Sequence, residues 1–382
     1  MNEMNILCST DRNFLYPTYV TMCSVMETHP SNVINFYLFV GQDVTADEKI
    51  KLKDYIQSCG NQITYIEVDP ELYATYVVCE KFPIAAYYRL MAHELLPKTV
   101  KRVLYLDVDI IVNKNIYDDL YSIDFGDKYL VATSHNPDPS YFNMLDSTLV
   151  NLESAAKGEF FNSGVLLMNL EKFREERIGL NDYDRAYASC EENGIKVFYD
   201  QGLLNYMFYD KTLYLSSMDY NFRYSIPIDY KRRLEQNREY KKAIIHYTGM
   251  CQPYKPWDIR LTEDEILMYG KVPFSNEYFF INQELNQLFE IWWGYAKKTP
   301  VYDEIERDCA IKTKWFRRNL LDFTLKHNEL VKNLSEIKKQ KTKEITKTVA
   351  KSVYPKGFHP KAYKLGCLLC APYWKLKKVF KK

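Results

Sequence analysis

The sequence predicts an α/β fold built on a mostly parallel, doubly wound sheet, followed by a helical and basic C-terminal region. Three observations predict it. Short β-rich runs alternate with helical patterns over the first 135 residues, two acidic residues stand at the exit of a buried apolar run, and long polar helices replace the alternation near Phe274. That alternation requires parallel strands joined by crossover helices, with ligands bound at the carboxyl ends of the strands. With 382 residues, 47% of them apolar and 26% charged, the chain can bury a large core, so collagen-like, wholly disordered and small disulfide-scaffold classes are excluded.

The elements follow in order. Asn5 to Cys8 is an apolar run that reads as the first buried strand, Pro17 to Met26 as a helix, and the β-branched and aromatic Val33 to Val40 as a strand. Thr45 to Ser58 is a charged, periodic helix opened by a capping box, Thr45 with Glu48 three residues on. Gln62 to Val68 is a strand, Ala85 to Leu95 a helix, and Arg102 to Leu106 a short buried strand ending at Asp107. Pro137 to Gly158 reads as a surface excursion, Gly164 to Leu170 as an apolar strand, Glu171 to Glu192 and Gln201 to Tyr209 as helices, and Ala243 to Ile245 as a strand running into His246. The expected organisation is a core domain over 1–273, a helical extension over 274–330 and a basic aromatic tail over 331–382. No run reaches the ~18 apolar residues of a spanning helix. Met1 to Ser9 carries Glu3 and no basic region, which predicts a cytoplasmic start rather than a secretory signal. The nine scattered cysteines read as reduced thiols, and the Cys367–Cys370 pair lacks the partners of a zinc set.

The strongest chemical signal is Leu104-Tyr105-Leu106-Asp107-Val108-Asp109-Ile110-Ile111-Val112. A buried strand delivers two carboxylates one residue apart, and two such oxygens can grip a hard divalent cation that in turn grips a diphosphate. Turn or capping aspartates are the plainer alternative. Haloacid-dehalogenase-like phosphatases also follow an apolar run with DxD, but directly after the first strand of the core, whereas a complete βαβαβα unit precedes this one. Four further segments join it. Asp11, Asn13 and Phe14 follow the first strand, where polar side chains could read a base edge while the ring stacks, although Asp and Asn in loops commonly cap helices. Asn162 lies in Phe161-Asn162-Ser163-Gly164, and Asp200-Gln201 opens a helix where an aspartate N-cap is the usual explanation. His246-Tyr247-Thr248-Gly249 runs on to Lys255-Pro256-Trp257; histidine can complete a metal shell, and glycine with lysine can approach and neutralise phosphate.

Taken together, TDRNF, AAYYRL, LYLDVDIIV, FNSGVLLMNL, YDQGLLN and HYTG…KPW, in that order over roughly residues 4–260, resemble glycosyltransferase family 8. The resemblance implies a GT-A fold and a retaining, manganese-dependent transfer of a hexose, galactose or glucose, from a UDP-sugar, with magnesium as the other candidate ion. It implies Asp107, Asp109 and His246 as metal ligands. Asp11, Asn13 and Phe14 would hold uracil, with Phe14 where the family often has tyrosine. Arg89 would contact the donor, Asn162 and Asp200 would bind the donor sugar, Gln201 would lie beside the reacting face, and Gly249 and Lys255 would bind the diphosphate. The stretch Met250 to Tyr254 is longer than in the galactosyltransferases of the family, so the reach of Lys255 is in question. Gln201 is a poor nucleophile, which favours front-face substitution over the carboxylate adduct of retaining glycosidases.

The chain's net charge of +1 hides an asymmetry. Residues 331–382 hold 15 Lys against Glu336 and Glu344, a formal +13, which leaves the first 330 residues at −12. Tyr354, Phe358, Tyr363, Tyr373, Trp374 and Phe380 are interleaved with the lysines. Aromatics plus lysines suit an anionic bilayer surface, so the expectation is a peripheral protein of the inner membrane face acting on a glycan or lipid-linked acceptor of a bacterial-type surface polysaccharide. A basic tail can also be solvated or bind RNA; no nucleic-acid partner is expected. The competing functions are a glycogenin-like protein that glucosylates its own tyrosine and a catalytically inactive sugar-nucleotide-binding scaffold.

Overall fold

A computed structural model describes residues 2–73, 76, 84–134, 160–195, 199–215, 218–223, 242–248, 255–265 and 283–318. Two compact units divide the chain, Met1–Lys314 and Trp315–Lys382. Of the second, 315–318 are described and are helical. The expected excursion at Pro137 to Gly158, the tail over 331–382 and its Cys367–Cys370 pair lie outside the described residues.

The first unit is organised by the expected alternation. β1 (Asn2–Thr10) leads through a 3-10 turn into α1 (Leu15–Thr28), then come β2 (Asn32–Val40), α2 (Ala46–Ser58) and β3 (Gln62–Glu67). A 3-10 helix at Ile84–Met91 runs into the short α3 (Ala92–Leu95), followed by β4 (Arg102–Leu106), β5 (Ile110–Val112) and β6 (Leu130–Ser134). β7 (Phe161–Asn169), α4 (Leu170–Glu175), α5 (Leu180–Glu192), α6 (Tyr199–Phe208), β8 (Thr212–Leu215), β9 (Phe222–Arg223), β10 (Ile244–His246) and α7 (Gln283–Ala296) follow.

Seven strands form one sheet in the order β3-β2-β1-β4-β7-β6-β8, and β5, β10 and β9 form a small second sheet. β1 pairs in parallel with β2 and β4, β2 with β3, and β6 with β8, whereas β7 runs antiparallel to both β4 and β6. The sheet is therefore mostly parallel with one inverted strand. The chain winds outward through β1, β2 and β3, then returns to place β4 on the other side of β1. This puts a topological switch point between β1 and β4, where ligands of open α/β sheets bind. Asp11 and Asp107 follow directly at the carboxyl ends of these two strands.

Burial explains the near-continuous apolar strands. Leu7, Val103, Tyr105, Leu130, Ala132, Leu166 and Met168 share one core with Tyr87, Leu90, Phe173, Tyr183, Leu203 and Phe208. The alternate residues Ile6, Cys8, Leu104, Leu106 and Leu167 are equally buried, as a sheet covered on both faces requires. Of the described cysteines, Cys8, Cys23, Cys190 and Cys309 are buried free thiols and Cys59 is exposed.

Several expected boundaries shift for identifiable reasons. The helix expected at Ala85 to Leu95 is 3-10 up to Met91, a stretch whose residues from Tyr87 to Met91 are all buried. The strand expected to start at Gly164 starts at Phe161, because its first residues pair with β6 beyond the end of β4. The helix expected over Glu171 to Glu192 breaks where Arg177 takes a left-handed φ of 54°, and α5 restarts as the Gly179 N–H donates to Asp182 Oδ2 at 2.9 Å. His246 belongs to β10 rather than to the loop after it. The capping box of α2 forms as expected, Glu48 N–H donating to Thr45 Oγ1 at 3.3 Å and Thr45 N–H to Glu48 Oε2 at 2.9 Å.

Candidate active site

The site is assembled where β4 and the inverted β7 end side by side. Val165 pairs with Leu106, so Gly164 falls opposite Asp107, and the Asp107 N–H donates to the Gly164 carbonyl at 2.8 Å. The next turn carries Asp109 into β5, and the pairing of Ile110 with His246 brings β10 alongside. Helix α1 holds this turn from behind. Thr21 Oγ1 donates to the Val108 and Ile110 carbonyls at 2.9 and 2.7 Å, and Ser24 Oγ accepts from the Val112 N–H. These buried hydroxyls were not legible as site residues, since they sit in an unremarkable apolar helix.

Ligand atoms of Asp107, Asp109 and His246 lie within 4.8 Å of one another. His246 Nε2 is 3.1 Å from Asp109 Oδ1 and 3.6 Å from Asp107 Oδ2. Two carboxylate oxygens and one imidazole nitrogen form a mixed O/N donor set that suits a divalent cation. The space around the ligands fits this as well. A Cβ at Gly164 would stand 2.3 Å from His246 Cε1 and 2.6 Å from Asp107 Oδ2, so only glycine lets the two ligands converge. Burial pushes the Asp109 carboxyl up, but the Lys255 ammonium and His246 outweigh it and hold it below the usual carboxylate range. Lys255 Nζ pairs with Asp109 Oδ2 at 2.6 Å and also donates to the Tyr247 carbonyl.

Behind the ligands lies a buried ionic layer. Arg89, 3% exposed, pairs with Asp107 Oδ1 at 3.0 Å and Asp200 Oδ2 at 3.2 Å, donates to the Ser163 and Ala86 carbonyls, and stacks 4.1 Å over the Tyr105 ring. Burial alone would lower the pKa of its guanidinium; the two carboxylates outweigh that and raise it. Asp200, 4% exposed, also accepts from Ser163 Oγ at 3.0 Å. Its carboxyl is pushed up by burial and pulled back by Arg89. Tyr105 Oη donates to Asp107 Oδ1 at 2.8 Å, orienting that carboxylate.

Next to Asp200, Asn162 Nδ2 donates to Gln201 Oε1 at 2.7 Å, and the Ser163 N–H reaches the same oxygen at 3.3 Å. Asn205 locks α6 to β7 by accepting from the Phe161 N–H and donating to the Phe161 carbonyl, both at 2.9 Å. That pair of bonds puts Asp200 and Gln201 against Asn162. Asn205 and Asn221 were missed by sequence reasoning; asparagine one turn into a helix or before a two-residue strand carries no signal of its own.

The remaining candidates separate. Asp11 caps the 3-10 turn, its Oδ1 accepting from the Phe14 N–H at 3.0 Å, and burial pushes its carboxyl up. Asn13 is exposed. Phe14 meets Trp257 edge to face, with ring centroids 6.0 Å apart, which joins the β1 loop to the Lys255 segment. Trp257 packs in turn on Trp292 of α7 at 5.3 Å, and Tyr247 Oη donates to the Leu288 carbonyl at 2.6 Å, so α7 braces both the His246 and Lys255 segments. Gly249 and Met250 to Tyr254 lie outside the described residues.

The sequence model of glycosyl transferase family 8 matches residues 5–260. Lipopolysaccharide 1,2-glucosyltransferase of Escherichia coli strain K12 is 28% identical over 265 residues, covering 67% of this chain and 74% of that one. Lipopolysaccharide 1,3-galactosyltransferase of Salmonella typhimurium is 21% identical over 256 residues, covering 67% and 74%. The crystal structure of galactosyltransferase LgtC with donor and acceptor sugar analogues superposes with a TM-score of 0.53 at 25% identity, over 66% of this chain and 89% of that one. The α/β body is thus a GT-A fold, and the chain belongs to glycosyl transferase family 8.

Proposed function

We propose that this glycosyltransferase is a retaining hexosyltransferase that moves galactose or glucose from a UDP-sugar to a glycan or lipid-linked acceptor of a bacterial surface polysaccharide. The observation that carries the reading is the convergence of Asp107, Asp109 and His246 at the switch point of the sheet, beside Lys255 and the Asn162–Gln201 pair. The donor and acceptor classes rest on the resemblance and on relatives named for glucosyl and galactosyl transfer to lipopolysaccharide. In this reading residues 1–273 form the catalytic domain, 274–330 a helical extension, and 331–382 a tail that contacts the inner membrane face.

Asp107, Asp109 and His246 would hold manganese or magnesium, which supplies positive charge against the departing diphosphate. Lys255 adds a second positive charge to the leaving group, and Gly249 approaches the same phosphates. Asp11, Asn13 and Phe14 read the uracil. Arg89 acts on the donor through the carboxylates it fixes, since it is buried and each of its three nitrogens already reaches Asp107, Asp200 or a backbone carbonyl. Asn162, Asp200 and Gln201 line the sugar. Asp200 is buried with its Oδ2 held by Arg89 and Ser163, and Gln201 is a neutral amide, so this reading takes neither as a nucleophile. The bond from the anomeric carbon to the phosphate oxygen therefore breaks as the acceptor oxygen bonds on the same face, and the acceptor's proton passes to the departing phosphate.

The test is a panel of UDP-sugars given to the purified full chain with and without Mn2+, with product anomers assigned by NMR. Mn2+-dependent UDP release from UDP-galactose or UDP-glucose, requiring an acceptor and giving an α-linked product, is expected. A β-linked product contradicts retention, a mass gain on the protein itself identifies the self-glucosylating alternative, and no release identifies a scaffold. A glycosyl adduct trapped on Asp200 or Gln201 contradicts front-face transfer. Flotation of the chain with anionic liposomes, lost on deletion of 331–382, tests the tail.

A further inference from the structure

We propose that Asn221 is a positioning residue that fixes the tautomer of His246 and ties this ligand to the donor-sugar residues Asn162 and Gln201. Asn221 is buried, and it lies between the two groups. Its Oδ1 is 2.9 Å from His246 Nδ1, and its Nδ2 donates to Asn162 Oδ1 at 3.0 Å. Asn162 Nδ2 continues the line to Gln201 Oε1 at 2.7 Å. The four side chains come from β10, the turn before β9, β7 and α6.

The direction of this line is set by backbone donors, which cannot be flipped as side-chain amides can. The Gly164 N–H points at one Asn162 side-chain atom at 3.1 Å, so that atom is the oxygen. The Ser163 N–H likewise makes the facing Gln201 atom an oxygen. The Asn221 atom facing the Asn162 oxygen must then be its NH2 group, and its oxygen must face His246. An oxygen there can only accept, so Nδ1 of His246 carries a proton, and Nε2, which faces Asp107 and Asp109, is the nitrogen left to ligate. That is the tautomer a metal-ligating imidazole needs, and an outer partner on the second nitrogen is the usual device for holding it. In this way two backbone N–H groups of β7 decide the protonation pattern of a residue in another sheet.

The metal role of His246 rests on the function proposed above, so the test reads tautomer and metal binding separately. The full chain is labelled with 15N-histidine and its imidazole signals recorded without metal, His246 being assigned by its loss in His246→Gln. Mn2+ affinity is measured by electron paramagnetic resonance. Wild type is expected to show Nδ1 of His246 protonated. Asn221→Ala loses that form and binds Mn2+ about 10- to 100-fold more weakly, the range for losing an outer partner of a ligand. Asn221→Asp, which can accept from Nδ1 but cannot donate to Asn162, restores the tautomer and the Mn2+ affinity while kcat stays depressed. The isosteric Asn221→Leu replaces Asn221→Ala if the latter does not fold. Native tautomer and native Mn2+ affinity in a folded Ala or Leu variant overturns the proposal, as does an Asp variant that rescues neither. Should wild type itself bind no Mn2+, the metal reading fails while the tautomer comparison still decides the role of Asn221.

Discussion

One missing methyl group at position 164 lets the site exist. A Cβ there would lie 2.3 Å from His246 Cε1 and 2.6 Å from Asp107 Oδ2, both belonging to side chains already held by other partners. Gly164→Ala is therefore expected to leave the fold largely intact and to abolish Mn2+ binding, checked by thermal melting and metal titration. Native affinity in this variant would mean that the ligands can yield. Arg89 is the opposite case, a residue whose loss the fold itself feels. Replacing it with Met leaves Asp200 buried without its cation, at a cost of about 3–5 kcal/mol by analogy with other broken buried pairs. Arg89→Lys keeps the charge but not the planar fork that serves two carboxylates and two carbonyls, so it too should lower both the melting temperature and kcat.

Among the elements, β7 does most to build the site, because its inversion brings Asn162, Ser163 and Gly164 up to the exit of β4. Phe161 to Ser163 read in the sequence as residues preceding this strand, whose apolar character from Gly164 on was legible. Its direction was not, since parallel and antiparallel neighbours bury the same side chains and only the register with Leu106 distinguishes them. The segments at Asp107, Asp109, His246 and Lys255 were legible because polar residues interrupt apolar runs at strand ends. Thr21, Asn205 and Asn221 were not, because each acts through a partner on another element, far away in the chain. Local rules held best where the interaction is local. Thr45→Ala should cost α2 about 1 kcal/mol in a denaturant melt. The Thr45 N–H holds the Glu48 carboxyl below its usual range, so the contribution of the capping box is full above the unfolded carboxylate pKa and fades as pH falls through the lower folded value. A stability difference between wild type and Glu48→Gln that is unchanged on acidification would contradict this.

Across the whole molecule, near-neutrality is a cancellation between a body of −12 and a tail of +13 over 331–382. An acidic body repels a nucleotide diphosphate unless positive charge is concentrated at one place. In the proposed function that charge is supplied by the divalent ion of the Asp107–Asp109–His246 triad, because Lys255 and Arg89 are already paired with Asp109, Asp107 and Asp200. No described helix is long and apolar enough to cross a membrane, so contact with a bilayer falls to the tail in the proposed function. The proposed reaction depends above all on the triad holding a divalent ion. UDP release from a UDP-hexose by wild type and Asp109→Asn, with Mn2+ and after chelation, tests this dependence without intermediaries. Chelation is expected to silence wild type. Asp109→Asn, melting as wild type does, is expected to fall by more than about a hundredfold, beyond what disturbing a ligand's outer partner achieves. Mn2+-dependent turnover retained by Asp109→Asn would contradict the assignment of the triad as the metal site.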